Sequence, residues 1–134
     1  MIVSGLPDPV AEHAGNIALF ALELLSLTST YKKLDNPDEN IRIQTGIHSG
    51  SVVAGVLGIS TARYCIFGNT VSIASCMEAT ALPGKIQISS ECNAELEELG
   101  GFHTIERGFI QVPGNNKILH THTKICFMVY MIYI

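Results

Sequence analysis

The stretch Arg63-Tyr64-Cys65-Ile66-Phe67-Gly68-Asn69-Thr70-Val71 decides the fold that we predict for this chain. Its first half is rich in aromatic and branched residues, which favour a strand, and Gly68-Asn69 supplies turn residues directly after it. Thr70 has the side chain of a helix N-cap, so we expect a helix over 71–81, ended by Leu82-Pro83-Gly84. The segment therefore predicts a strand, a tight turn and a helix in immediate succession.

The residues before this segment predict a helix followed by two strands. Asp8-Pro9 has the chemistry of a helix start, and apolar side chains then recur at the spacing of one helix face. Residues 41–48 alternate apolar and polar side chains as a strand does, and 52–57 read as its hairpin partner after turn residues at 49–51. The buried stripe predicted for the helix consists of Ile17, Phe20, Ala21, Leu24 and Thr28.

The residues after the segment continue the alternation of strands and helices. Lys85 to Ser89 alternates as a strand, and Ser89 or Ser90 caps a helix that runs through Leu99 and ends at Gly100-Gly101. Residues 103–112 then read as extended. Helices separated by alternating strands predict an α+β fold, and we expect the helices to lie on one face of the sheet.

Composition narrows the class of protein. The chain has 134 residues, the length of one domain, with 47% hydrophobic residues and a formal net charge of -4. Because no broad basic field is present, we expect no nucleic-acid partner. The N-terminus lacks the pattern of a signal peptide, and the four cysteines show no C-x-x-C spacing, so we interpret them as free thiols in a reducing compartment.

Further motifs identify a family. The sequence resembles the catalytic domain of guanylate cyclases, within the class III nucleotidyl cyclase family, over residues 2 to about 112. That resemblance implies the later part of a ferredoxin-like α+β fold, with helices packed on a mostly antiparallel sheet. The ending Glu106-Arg107-Gly108 favours receptor-type cyclases, whereas Asn69 is more typical of soluble heterodimeric ones. The motifs that carry the resemblance, besides the opening stretch, are Val3-Ser4-Gly5-Leu6-Pro7, Gly46-Ile47-His48-Ser49-Gly50, Met77-Glu78-Ala79-Thr80 and Leu82-Pro83-Gly84-Lys85-Ile86.

The resemblance implies an activity and a set of roles. Such cyclases convert GTP to 3',5'-cyclic GMP and pyrophosphate with two Mg or Mn ions, in a site formed between two subunits. Cys65 occupies the position of the cysteine beside guanine, where adenylyl cyclases carry Asp. Gly68 and Asn69 form the turn that leads a helix toward the phosphates. The alternative for Cys65 is an ordinary small core residue, and for Gly68-Asn69 an ordinary strand-to-helix turn.

Two positions depart from the family pattern. Where the family has Asn and Arg four residues apart on one helix face, this chain has Ser72 and Cys76. We interpret them as degenerate catalytic positions, because neither a hydroxyl nor a thiol reproduces the permanently charged donor fork of Arg. Pro113 likewise replaces a phosphate-facing Lys of the family. The family's two metal-binding Asp residues match nothing in this sequence, so we predict no metal site here and no activity from the chain alone.

The domain limits follow from where the resemblance fades. We assign 1–124 to a partial guanylate cyclase catalytic domain and 125–134 to an apolar tail, for which a truncated or mis-joined end is one explanation. The tail's ten uncharged residues are about half of what spans a bilayer. The resemblance implies a cytoplasmic domain, attached to a membrane only through a parent protein, that forms a homodimer or a heterodimer with another cyclase subunit.

Two other functions fit the same sequence. One is a catalytically inactive cyclase-like half that serves as a dimerisation or regulatory partner. The other is an α+β interaction module that binds no nucleotide. Binding of GTP that is lost when Cys65 is replaced distinguishes both cyclase-derived functions from the module.

Overall fold

The computed structural model describes residues 1–111 and 118–127, and within 118–127 it describes the side chain of Thr121 alone. Three helices and six strands make up this part of the chain, and the strand-turn-helix segment predicted around Gly68 is present. In chain order the elements are α1 His13–Thr30, β1 Gln44–Ile47, β2 Val53–Leu57, β3 Arg63–Phe67, α2 Asn69–Ala79, β4 Lys85–Ser89, α3 Ser90–Leu99, β5 Phe102–Gln111 and β6 Ile118–Phe127.

The strands form a four-stranded sheet and a separate ribbon. The sheet has the order β1-β4-β6-β5, with β1 parallel to β4 and the other pairs antiparallel. β2 and β3 pair with each other as an antiparallel ribbon. The predicted α+β fold with a mostly antiparallel sheet is confirmed. The predicted pairing of 52–57 with the preceding strand is wrong, because β2 forms its hydrogen bonds with β3.

The hydrophobic core lies between one face of the sheet and two helices. Alanine side chains of α1 let the helix approach closely, and isoleucines of β1 and β4 meet them together with residues of α3. Ala21 of the predicted α1 stripe is buried, but Phe20 is 43% exposed. The helix begins at His13, with Glu12 rather than Asp8 as its N-cap. The core residues are Ala14, Ala18, Ala21, Ile47, Ile86, Ile88, Cys92 and Leu96.

Helix α2 packs on the opposite face of the sheet from α1 and α3. Ile47 points into the core, so its neighbour Gly46 points to the other face. A Cβ atom on Gly46 would lie 1.9 Å from the backbone nitrogen of Glu78 in α2. The buried Gln87 side chain donates a 2.7 Å hydrogen bond to Thr80, just after α2, on this same side. The expectation that all helices share one face is therefore wrong, since the absence of a side chain at Gly46 admits a helix there.

The ends of the chain bear on the predicted domain limits. β6 continues to Phe127, and its last residues pair with Phe102 and His103 of β5. The boundary between 124 and 125 stays a prediction, because 128–134 lie outside the described residues, as does Pro113. No helix in the described part of the chain is both long and apolar enough to cross a membrane.

Candidate functional site

The turn between β3 and α2 brings the three predicted nucleotide-binding residues together. Cys65 is half-buried on β3 and lies opposite Gly55 of β2, which has no side chain to cover it. Gly68 has φ 145°, a conformation that residues with a Cβ rarely adopt, and it precedes Asn69, the first residue of α2. Asn69 is exposed. A half-buried thiol and an exposed helix start therefore occupy adjacent positions on one edge of the domain.

The start of α2 carries amide groups that no side chain caps. Gly68 is the N-cap residue, and it has no side chain that could accept a hydrogen bond from the first amides of α2. The first amides of any helix lack acceptors within the helix, and with the helix dipole they favour anions. Thr70, which we predicted as the cap, instead donates a 2.6 Å hydrogen bond from Oγ1 to the carbonyl oxygen of Ser51. The uncapped start of α2 can accept a phosphate group without displacing a capping side chain.

Ser72 and Cys76 differ in their surroundings although they lie one helical turn apart. Ser72 is exposed, whereas Cys76 is only 7% exposed. Burial raises the pKa of the Cys76 thiol, so the side chain is an uncharged S–H group at neutral pH. Neither side chain supplies the positive charge of an arginine. This helix face can therefore offer a hydroxyl to a ligand but no cation.

Arg107 fixes the other end of α2. Its guanidinium donates a 2.7 Å hydrogen bond to the carbonyl oxygen of Thr80 and a second to the side-chain oxygen of Gln87. A cation at the carboxyl end of a helix also opposes the negative end of the helix dipole. The arginine of the Glu106-Arg107-Gly108 motif thus holds α2 against β4, a role that its spacing in the sequence could not reveal.

A polar cluster that the sequence analysis did not identify lies beside the turn. Ser49 donates a 2.6 Å hydrogen bond to Oε1 of Glu95 on α3, and Nε2 of His13 on α1 lies 2.9 Å from both Ser49 and Glu95. Nδ1 of His48 lies 2.7 Å from Oγ of Ser89, the N-cap of α3. Burial lowers the pKa of His48, against the raising effect of Glu91 and Glu95. Of these residues, His48 and Ser49 belong to the motif Gly46 to Gly50, and this motif is the feature of the sequence from which their position could have been inferred.

A divalent cation needs a cluster of ligands, and the described side chains contain none. Within 1–111 and the described side chain at 121, no group of three His, Cys, Asp or Glu residues could hold a metal ion. Cys65, Cys76 and Cys92 are free thiols, as predicted, and the side chain of Cys126 is not described. Burial, with the charges of Glu95 and Glu91, raises the pKa of Cys92 to about 12, so this thiol is unreactive.

Comparisons with known proteins agree with the motifs around this site. Residues 1–129 match the family described as "Adenylate and Guanylate cyclase catalytic domain". Guanylate cyclase 2G of Mus musculus is 44% identical over 118 residues, covering 87% of this chain and 11% of that protein. Receptor-type guanylate cyclase Gyc76C of Drosophila melanogaster is 42% identical over 121 residues, covering 89% of this chain and 8% of that protein.

A solved structure extends the comparison to three dimensions. The guanylate cyclase domain of RhGC from Catenaria anguillulae, in complex with GTP, superimposes with a TM-score of 0.80 and 33% sequence identity. The match covers 92% of this chain and 65% of that chain. This chain therefore spans about a tenth of the curated relatives and less than two thirds of that structural neighbour.

Proposed function

Because this chain belongs to the adenylate and guanylate cyclase catalytic-domain family, we propose that it is part of a guanylate cyclase that makes cyclic GMP and pyrophosphate from GTP in intracellular signalling. The observation that carries the proposal is the edge formed by Cys65 and the uncapped start of α2. The thiol of Cys65 is suited to a base, the uncapped amides at the start of α2 are suited to a triphosphate, and the two lie at neighbouring positions. The similarity to receptor-type cyclases favours a receptor as the parent protein.

Each part of this edge has a role in binding GTP. We assign Cys65 to guanine, because a half-buried, uncovered thiol can lie against O6 without the repulsion that a carboxylate would cause. The turn at Gly68 and Asn69 aims the first amides of α2 at the phosphates, as helix starts do for anions generally. Ser72 stands at the position of the family's Asn. This chain thus supplies base-reading and phosphate-reading groups.

The metal ions of the reaction need other ligands. Cyclases of this family work with divalent metal ions, and we propose two Mg or Mn ions. The described residues do not fit such ions, because they contain no cluster of carboxylates for them. Residues 112–134 contain no Asp or Glu either. We therefore propose that carboxylates outside this sequence bind the ions, and we derive no step through a metal from its residues.

A second function is favoured by the two degenerate positions. Because Cys76 is buried and uncharged, the face of α2 lacks the cation that would stabilise charge developing on the phosphates. A domain of this kind can serve as the inactive half of a heterodimer, giving stability or regulation to a partner. We propose a cytoplasmic position for either form.

We expect GTP to bind the chain and Cys65→Asp to weaken that binding. The carboxylate would face the acceptor O6 of guanine but would suit the amino group of adenine, so GTP affinity should fall about tenfold or more while ATP affinity should not. Titration with each nucleotide, followed through amide NMR signals of residues 65–72, measures both. Ala62→Asp is the control, because it places the same charge at an exposed position before β3. Equal losses in the two variants would contradict base reading by Cys65.

We expect the chain to dimerise through the ribbon of β2 and β3. One face of this ribbon carries Cys65 together with Val53 and Leu57, which are 71% and 54% exposed. Phe67 lies on the same face, and Arg63 is its charged residue. A largely apolar face beside the nucleotide position suits a site shared by two subunits. In sedimentation equilibrium, Val53→Glu should shift the chain to monomer, whereas Leu34→Glu, in a loop where Leu34 is fully exposed, should not. A wild-type monomer at micromolar concentrations would refute this interface.

A further inference from the structure

The connector between β1 and β2, residues 48–52, touches all three helices. Ser49 contacts Glu95 of α3 and His13 of α1. His48 contacts Ser89 at the start of α3. The carbonyl oxygen of Ser51 accepts the hydrogen bond from Thr70 in the first turn of α2. The connector therefore joins the helices of the core face to the helix start that we assign to phosphate binding.

The surroundings of His48 favour an uncharged ring. Oγ of Ser89 lies 2.7 Å from Nδ1 of His48 and accepts from the backbone N–H of Cys92 at 3.3 Å. A neutral imidazole can accept the Ser89 proton at Nδ1 or donate its own there, because a hydroxyl both donates and accepts. The side chain of His48 is only 5% exposed, and burial favours this neutral form.

The other side of the imidazole faces the nucleotide turn. A Cβ atom built on Gly50 would lie 3.3 Å from Nε2 of His48 and 2.8 Å from Oγ1 of Thr70. The histidine ring, the bare backbone of Gly50 and the Thr70 hydroxyl are thus packed in a row. The Nε2 side of the ring and the Thr70 hydroxyl both face the bare side of Gly50, and Thr70 lies directly after Asn69.

We propose that His48 is a positioning residue for the nucleotide turn, whose neutral imidazole holds the connector against the start of α2 and whose protonation releases it. The proposal deepens the proposed function, because it makes GTP binding at Gly68 and Asn69 sensitive to pH. His48 acts through Gly50, Ser51 and Thr70 and does not touch the ligand.

The charges around His48 determine which way a protonated ring moves. Nδ1 lies 3.8 Å from Oε2 of Glu91, too far for a hydrogen bond but close enough to attract an imidazolium. The charge of Glu95 on α3 also acts on the ring, and Nε2 of His13 on α1 lies 2.9 Å from Glu95. The described residues of α2 beside the ring contribute only the uncharged Thr70. A protonated ring carries a positive charge, which draws it toward Glu91 on its Nδ1 side and away from Gly50 on its Nε2 side.

The pH range follows from the lowered pKa of His48. Because the folded state binds this proton less readily than the unfolded state, the contribution of His48 to stability is complete above about pH 6.5, the ordinary histidine value. It is lost as the pH falls from there toward the lower pKa of the folded protein. The connector should therefore be held at neutral pH and released in mild acid.

A pH titration followed by NMR tests the coupling without any nucleotide. The imidazole signals of His48 and the amide signals of Gly68, Asn69 and Thr70 should shift with one common midpoint below pH 6.5. In His48→Asn, whose side-chain oxygen can still accept from Ser89, these amide shifts should disappear. His103→Asn is the matched control, because His103 is exposed on β5, and it should leave them unchanged.

Thr70→Val provides a second test in case the first variant does not fold. It removes the hydrogen bond to Ser51 and leaves His48 in place. His48 should still titrate, but the amide of Asn69 should no longer follow its midpoint. Amide signals that titrate equally in His48→Asn, or a His48 that titrates or stays neutral with no effect on them, would overturn the proposal.

GTP binding separates this proposal from the proposed function. We expect affinity to fall about fivefold from pH 7.5 to a pH below the midpoint of His48 in wild type, and to be independent of pH in His48→Asn. GTP that fails to bind at any pH, while the amides still follow His48, would refute the nucleotide site but leave the positioning role standing. Binding that weakens equally in both proteins would overturn the positioning role alone.

Discussion

Incubated with GTP and manganese, the 134-residue chain is expected to release no cyclic GMP above a protein-free control. Cyclisation requires metal ions to activate the ribose hydroxyl, and the described residues contain no carboxylate cluster for them. Cys76, which we interpret as the position of the family's Arg, is also buried and uncharged, and loss of one preorganised donor costs about a hundred- to a thousandfold in rate. Product formation measured by immunoassay or mass spectrometry checks this result.

The same chemistry predicts how activity could be restored. A longer form of the protein that includes metal-binding aspartates should remain nearly silent as a homodimer, because both of its sites contain Ser72 and Cys76. It should work when mixed with a subunit that carries the intact Asn and Arg. Ser72→Asn with Cys76→Arg should activate the homodimer. A homodimer that is already as active as the mixed dimer would show that these two positions are dispensable.

Gly46→Ala is expected to destabilise the fold by about 3 kcal/mol or more. The new methyl group would lie 1.9 Å from the backbone nitrogen of Glu78 and 2.4 Å from the backbone carbon of Met77. Because these atoms belong to a helix backbone, no side-chain rotation can relieve the contact, and α2 must move off the sheet. Chemical denaturation of both proteins, followed by circular dichroism, measures the difference in the free energy of unfolding.

Gly55→Ala is the matched control for this substitution. Gly55 is also a strand glycine, but a Cβ atom there would meet nothing within 4 Å. Its effect should stay within about 0.5 kcal/mol, the range of ordinary surface substitutions. Equal destabilisation by the two variants would mean that strand backbone, and not the packing of α2 on Gly46, limits stability.

Local sequence signals were sufficient for the elements that depend on neighbouring residues. The turn at Gly68 and the cap formed by Ser89 involve contacts within about four residues, and the strand around Cys65 has aromatic and branched residues, so residue type and spacing predict them. The same signals were only partly right for α1, because Ala21 of the predicted stripe is buried and Ile17 packs against the core, but Phe20 is exposed. Ala14, Ala18 and Ala21 form the buried face, since small side chains let the helix approach the sheet, and this orientation leaves Phe20 outside.

In the candidate site, too, local signals predicted some features and the packing of the chain decided others. The motifs predicted Cys65, Gly68 and Asn69 as nucleotide-binding residues and Ser72 and Cys76 as departures from the family pattern, and these roles stay predictions. The spacing could not show that Ser72 is exposed while Cys76 is buried, because exposure depends on what packs against each residue. Nor could it show that Thr70 bonds to the connector instead of capping α2.

The sequence by itself determined the family and the α+β class, since these follow from motifs and local periodicity, and it correctly located the turn at Gly68 between β3 and α2. Only the tertiary structure decided that α2 packs over Gly46 and that His48 lies between Ser89 and the start of α2. His48 and Ser89 are 41 positions apart, and Ser49 and Glu95 are 46 apart. Contacts over such separations depend on how the whole chain packs, because no local preference of either residue specifies its distant partner.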